Sequence, residues 1–220
     1  MRFTSFSALF LSLVTLATCQ DTNLTDVRTA FEDANIPDNT TLTFQPSVLF
    51  EVSFPQTSGD AVPVSAGVQL ARNVTASPPT FSVLNTTIVS PEQPLVIAMV
   101  DLDPPTPQNT SLAQIRHFLG GNYFASDTGE LTNTTAAISE FLQPSPPNGS
   151  EPHRYVFLLF QQSRKFFNQT LVNSTTSIAN FNISQFADEL NLGQPIGGTF
   201  ILVGPDADTN TTTTNTTTTD

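Results

Sequence analysis

Leu95-Val96-Ile97-Ala98-Met99-Val100 is an unbroken apolar run that stops abruptly at Asp101-Leu102-Asp103-Pro104-Pro105. A second run opens at His117-Phe118-Leu119. A third, Tyr155-Val156-Phe157-Leu158-Leu159-Phe160, follows the Pro-rich polar stretch Pro146 to Arg154. Apolar runs bounded by turn residues predict strands buried on both faces. Elsewhere the pattern alternates: Val62, Val64, Ala66, Val68 and Leu70 share one face, and Val48 to Phe54 alternates in part. Leu42-Thr43-Phe44, Phe81 to Leu84, Ile88-Val89-Ser90 and Gly198 to Val203 read as further strand segments. In the strand His117 to Phe124, Gly120-Gly121 marks a bulge or a close backbone approach. Helical spacing is clear in two places. Val27, Ala30, Phe31 and Ala34 follow a capping Thr25, and a second helix runs from near Ser184 to Gly193 with Phe186 and Leu190 inward. Ala136 to Leu142 reads as a short helix or an irregular lid. Many short strands with Pro and Gly turns predict one mainly-β domain over residues 20–204.

The ends differ from this body. Met1-Arg2, the apolar run Ala8 to Ala17 and the small residues Ala17-Thr18-Cys19 predict a signal peptide over residues 1–19, the run being too short to span a bilayer. Cys19 is the chain's one cysteine, so cleavage behind it leaves a mature protein with neither disulfide nor thiolate chemistry. Residues 205–220 are almost wholly Thr, Asn and Asp, a composition that forms no core and predicts a disordered tail. That tail lacks the hydrophobic end of a GPI signal. Asn-x-Ser/Thr sequons stand at Asn23, Asn39, Asn73, Asn85, Asn109, Asn133, Asn148, Asn168, Asn173, Asn182, Asn210 and Asn215. Such density predicts a secreted, extracellular glycoprotein, with the cell wall as one destination.

Charge narrows the function. The 220 residues carry a net charge of -12, and Lys165 is the sole lysine. The basic face expected of a nucleic-acid binder is missing, as is a polybasic membrane patch. No Gly-x-Ser-x-Gly elbow, His-Glu-x-x-His, Cys-based metal spacing or phosphate-cradling Gly loop is present, so no catalytic residue, metal ligand or cofactor is assigned.

The candidate chemistry lies at the ends of the apolar runs. The chain has two histidines, His117 and His153, and each borders one of them. Asp101 and Asp103, two apart, share a side if extended; so do His153 and Tyr155. On neighbouring strands these carboxylates, imidazoles and phenol can meet at one rim. Imidazole and phenol donate to an anion; carboxylates orient the imidazoles or accept from an ammonium. A zwitterion carrying phosphate and amine suits such a set. Against this stand plainer readings: an Asp pair before Pro-Pro is a turn device, and a histidine beside an apolar strand is structural. Arg116 and Arg154 alternate to the other face, where acids would pair with them.

Asp101-Leu102-Asp103-Pro104-Pro105, Arg116-His117-Phe118-Leu119, Pro146-Pro147-Asn148-Gly149 and Glu151-Pro152-His153-Arg154 with the strand behind it resemble, in order and spacing, the signatures of the phosphatidylethanolamine-binding protein family. The resemblance covers about Thr25 to Val203. It implies a large antiparallel sheet flanked by a smaller one with a few short helices, and a small anion pocket at one end. Carried over, that pocket is Asp101, Asp103, His117, Pro147, His153 and Tyr155. This sequence departs from the family at four places. Leu102 replaces a proline, which predicts a looser first loop. Glu151 replaces a glycine, adding bulk and charge near the mouth. Ile115 stands where an aromatic is usual, and the Thr-rich tail stands where some members carry a helix.

The leading expectation is a secreted, non-enzymatic binding protein for a phosphate-bearing anion or phospholipid head group. A second is an inhibitor of a serine carboxypeptidase or another peptidase, as some fungal family members are. A third is a glycosylated surface or cell-wall protein with a vestigial pocket.

Overall fold

The computed structural model describes residues 20–84 and 89–206. The leader with Cys19, Ile88, the tail beyond Asp206 and the sequons at Asn85, Asn210 and Asn215 lie outside the described residues. Among the described residues nine strands form one sheet: β1 Leu49–Phe54, β2 Val62–Pro63, β3 Val68–Leu70, β4 Thr80–Leu84, β5 Leu95–Asp101, β6 Ile115–Ala125, β7 Glu130–Asn133, β8 His153–Gln161 and β9 Gly197–Val203. Their order is β2-β1-β4-β7-β6-β5-β8-β9-β3, antiparallel apart from the edge pair β3–β9. The sheet curls until β1 packs against β9. Four short helices, α1 Leu24–Asp33, α2 Ile36–Thr40, α3 Arg164–Phe167 and α4 Ile183–Glu189, complete the elements used below.

The curl explains the unbroken apolar runs. Val96, Ala98, Val100, Val156, Leu158 and Phe160 face a core shared with the helices. Leu95, Ile97, Met99, Tyr155, Phe157 and Leu159 face a second core closed by β1, β4 and β7. Both faces of β5 and β8 are therefore dry, and the ordinary alternation disappears. Burying a Leu, Val or Phe side chain contributes about 1.5–3 kcal/mol, so these strands form the rigid centre of the molecule.

Several expected elements change. Leu42 and Phe44 are buried, but Leu42-Thr43-Phe44 forms no strand. The Thr43 N–H donates to Gln194 Oε1 at 2.7 Å, and Phe44 stacks on Phe31 at 3.8 Å. Val62 to Leu70 is broken in two because the chain turns through Ala66-Gly67. Gly67 holds φ 85, and its N–H donates to Phe200 O at 2.9 Å. An L side chain there is strained, so the alternation does not propagate and its halves join opposite edges of the sheet. Asn23, rather than Thr25, caps α1, its side chain accepting from the Thr25 N–H. Asn182 caps α4, which starts at Ile183, one residue before the expected Ser184, and ends at Glu189 instead of reaching Gly193. Ala136 to Leu142 is irregular.

Gly120-Gly121 fulfils both sequence readings. The β5–β6 register slips by one between Leu95↔Tyr123 and Ile97↔Gly120. A Cβ on Gly121 would stand 2.2 Å from Phe166 Cε1 and 2.8 Å from Gln162 Oε1. Gln162 cannot retreat freely, since it bonds the Asn122 N–H and side chain, each at 2.7 Å. Gly121→Ala is expected to lower stability by about 2 kcal/mol through overpacking. Denaturant titration checks this; an unchanged midpoint contradicts it.

Candidate functional site

The site begins where β5, β6 and β8 end together. Asp101 pairs with Tyr155 on one side and Ile115 on the other. The period of two along β8 sends His153 and Tyr155 to the face of Phe157 and sends Arg154 to the helix face. On β6 a second register slip does what alternation alone cannot. Met99 pairs Phe118 and Val100 pairs Arg116, leaving His117 as the extra residue of a bulge. A bulge re-aims the side chain it carries. His117 thereby joins the His153 face while Arg116 stays on the other.

Asp101, His117, Pro147, His153 and Tyr155 line one cavity of about 290 Å³. Its remaining wall is largely apolar, and Leu112, Leu142 and Ile178 on that wall are among the exposed large hydrophobic residues. The imidazole of His117 stands edge-on to Tyr155, ring centres 5.0 Å apart; His153 lies nearly parallel to Tyr155 at 6.2 Å. His153 Nδ1–H donates to Asp101 Oδ2 at 2.9 Å. His117 Nδ1–H donates to Leu142 O at 2.8 Å, which leaves Nε2 as the ring nitrogen available to a guest. Burial holds the His117 pKa below its ordinary 6.5; the Leu142 carbonyl and Asp101 oppose the shift, and His153 adds to it. Burial first, then the Asp101 charge, pushes the Tyr155 phenol far up, so it stays a neutral O–H. Among the described residues no lysine or arginine lines the cavity.

Asp103 is not part of this set, contrary to the extended-strand expectation. The Asp101 carboxylate captures the Asp103 N–H at 2.9 Å, turning the chain and sending Asp103 to the opposite face. There Asp103 accepts from Arg154 N at 2.7 Å, Nε at 2.9 Å and Nη2 at 2.6 Å. Arg154 Nη1 reaches on to Ala34 O and Asn39 Oδ1, tying the α1–α2 hairpin to the strand end. The expected acid partner of Arg154 is therefore Asp103. The expected acid partner of Arg116 does not exist among the described residues; its guanidinium donates to neutral oxygens. Leu102 does not loosen the first loop: it is 2% exposed and its N–H donates to Arg154 O at 3.1 Å. Glu151 is exposed and does not line the cavity.

Ser150 carried no sequence signal. Its Oγ lies 2.9 Å from His153 Nε2, completing a Ser150–His153–Asp101 chain. The order of bonds is that of a hydrolase triad. Yet the single Oγ proton goes to Glu151 O at 2.8 Å and not to the imidazole, and Oγ does not line the cavity, so an acyl carbon bound there would not meet it. Its consequence is for binding: His153 Nε2 already has a partner, which a guest must displace or share. Every sequon asparagine among the described residues is exposed. Asn109 and Asn148 stand nearest the motif ends.

Comparison with known proteins extends these observations. A family profile described as phosphatidylethanolamine-binding protein matches residues 53–213. Phomoidride biosynthesis cluster protein N of Talaromyces stipitatus is 26% identical over 176 residues, covering 72% of this chain and 86% of that protein. Carboxypeptidase Y inhibitor of Saccharomyces cerevisiae is 28% identical over 149 residues, or 55% of this chain and 65% of the relative. The crystal structure of carboxypeptidase Y inhibitor complexed with its cognate proteinase aligns with TM-score 0.69 at 22% identity, covering 83% of this chain and 97% of that one. At that identity the likeness establishes the fold.

Proposed function

Because this chain belongs to the phosphatidylethanolamine-binding protein family, we propose that it is a secreted, non-enzymatic binding protein whose cavity holds a phosphate-bearing head group. The observation that carries this reading is the convergence of His117, His153, Tyr155 and Asp101 on one cavity with an apolar mouth. His117 Nε2 and the Tyr155 hydroxyl supply donors to the phosphate. Asp101 holds His153 and offers a negative neighbour to an ammonium group. A zwitterion such as phosphoethanolamine matches these groups better than a bare polyanion, which would meet a carboxylate and no fixed cation. Leu112, Leu142 and Ile178 stand where the apolar remainder of an amphiphile would emerge. Asp103 serves as the anchor of Arg154 rather than as a ligand. The exposed sequons are taken to carry glycans.

The sign of the pH dependence follows from His117. Its neutral ring presents Nε2 as an acceptor, so binding phosphate requires proton uptake there. With its pKa held below 6.5, affinity continues to strengthen as pH falls past 6.5, instead of levelling there as for an unperturbed imidazole. Without ligand the unfolded chain takes up this proton before the folded one does. Stability of the free protein therefore declines as pH falls below 6.5, until the lower folded-state pKa is reached. Calorimetric titration with phosphoethanolamine between neutral and mildly acidic pH tests both the binding and its slope. Affinity that is flat or weaker across that range would overturn the assignment of His117 as donor.

A second reading, inhibition of a secreted serine carboxypeptidase, is favoured by the likeness to carboxypeptidase Y inhibitor. On this chain the relevant part is the N-terminal segment Gln20 to Asn35, which Arg154 fastens beside the strand ends. An inhibition assay on the intact chain, with and without phosphoethanolamine, separates the readings: inhibition that ignores phosphoethanolamine supports this one.

A further inference from the structure

We infer that a second cavity, behind β6, binds a small monocarboxylate carrying an apolar or aromatic group, with Arg116 as its counter-charge. Arg116 and His117 are neighbours sent to opposite faces by the bulge, so each looks into a different cavity. The second cavity measures about 360 Å³, within the range of small-molecule sites.

Arg116 is 1% exposed and heads the largest fully buried side chains. Nε donates to Ser139 Oγ at 2.6 Å, Nη1 to Ser177 O at 3.4 Å and Nη2 to Thr176 O at 3.2 Å. The guanidinium lies 5.0 Å above the Phe181 ring centre. It has five N–H donors, and these bonds leave two of them over. Among the described residues no carboxylate lies within 4.0 Å of it. Glu189, on the cavity wall, is exposed and accepts instead from Gln185 Nε2 at 2.7 Å.

A buried charge without a counter-charge is costly, and natural chains normally pair it, as this one pairs Arg154 with Asp103. Here the place beside the cation is a cavity. One cation matches one negative charge; a phosphate dianion would be in excess and would face Glu189. Phe181, Phe186, Val172 and Leu171 form one part of the wall, suited to an apolar group, and polar residues such as Asn180 and Gln185 form the rest. This inference does not depend on the head-group reading, which uses the other face.

The test is calorimetric titration of the intact chain at neutral pH with phenylacetate, phenylacetamide and inorganic phosphate. Phenylacetate should bind at least about tenfold more tightly than phenylacetamide, the worth of a charge-assisted contact, and saturating phosphate should not displace it. Ala179→Leu fills the cavity without touching the bonds of Arg116; it should abolish phenylacetate binding while leaving the melting temperature in place. Arg116→Gln, if it folds, should erase the preference for the acid. His117→Ala should leave binding intact. Equal affinity for acid and amide overturns the inference. So does binding that survives Ala179→Leu, and so does binding lost in His117→Ala, which would place the ligand in the first cavity.

Discussion

Asp103→Ala is expected to lower the stability of this protein by about 3 kcal/mol and to leave the proposed head-group binding in place. The Asp103 side chain is 1% exposed and accepts three hydrogen bonds from Arg154, one of them backbone. Removing one partner of a buried pair costs about 3–5 kcal/mol, because the survivor keeps its desolvation penalty. Arg154 is 19% exposed, so solvent relieves part of that and the lower end applies. For a chain of this length each kcal/mol moves the melting temperature by about 2–4 °C, which makes a fall of roughly 6–12 °C. The freed Arg154 also loosens its hold on Ala34 and Asn39, so hydrogen exchange should rise first in α1 and α2. The cavity groups keep their bonds, and phosphoethanolamine affinity should stay within about threefold of the parent. An unchanged melting temperature with lost binding would return Asp103 to the ligand set that the sequence motif implies.

His117→Ala and His153→Ala should each weaken phosphoethanolamine by about tenfold to a hundredfold, the worth of one charge-assisted bond of about 1.5–3 kcal/mol. Their effects on stability should differ. His117→Ala frees one carbonyl, Leu142 O, near the exposed rim. His153→Ala takes the imidazole partner from the Asp101 carboxylate, which is 3% exposed and is left with the Asp103 N–H and the Tyr155 hydroxyl, so its melting temperature should fall further. The double variant should lose less affinity than the sum, since both imidazoles serve one guest. Ser150→Ala should bind as well as the parent or better, because it removes the partner already on His153 Nε2. Calorimetry alongside thermal melts separates these outcomes; parent-like affinity in both histidine variants would leave the cavity without its donors.

The central strands β5 and β8 were legible from their unbroken apolar runs, and β6 from the shorter run that follows His117. The pairing of Asp101, His153 and Tyr155 followed from the same pattern, since period-two alternation holds inside a rigid sheet. It failed one step beyond the sheet. Asp101 takes the Asp103 N–H, and that single side-chain bond rotates the next carboxylate to the other face. The expected Val62 to Leu70 strand failed for a similar reason, a turn at Gly67 held by the Phe200 carbonyl. The bulge at His117 has no local signature, unlike the one flagged by Gly120-Gly121, because its cause is the register of β6 against the preceding strand β5 rather than the residues beside it. Ser150 and the Leu142 carbonyl reach the histidines from loops whose path depends on the finished fold. The burial of Arg116 without an acid was equally invisible, since alternation gives a residue's face but not its company there.

The two histidines make a direct measurement feasible. In chain carrying 15N only in histidine, the imidazole nitrogens of His117 and His153 are the side-chain signals to follow. Addition of phosphoethanolamine at pH 6.5 should shift both rings and convert His117 Nε2 from a bare acceptor into a protonated donor, with Nδ1 still bonded to Leu142. Two imidazoles whose resonances do not move at saturating phosphoethanolamine would contradict the account.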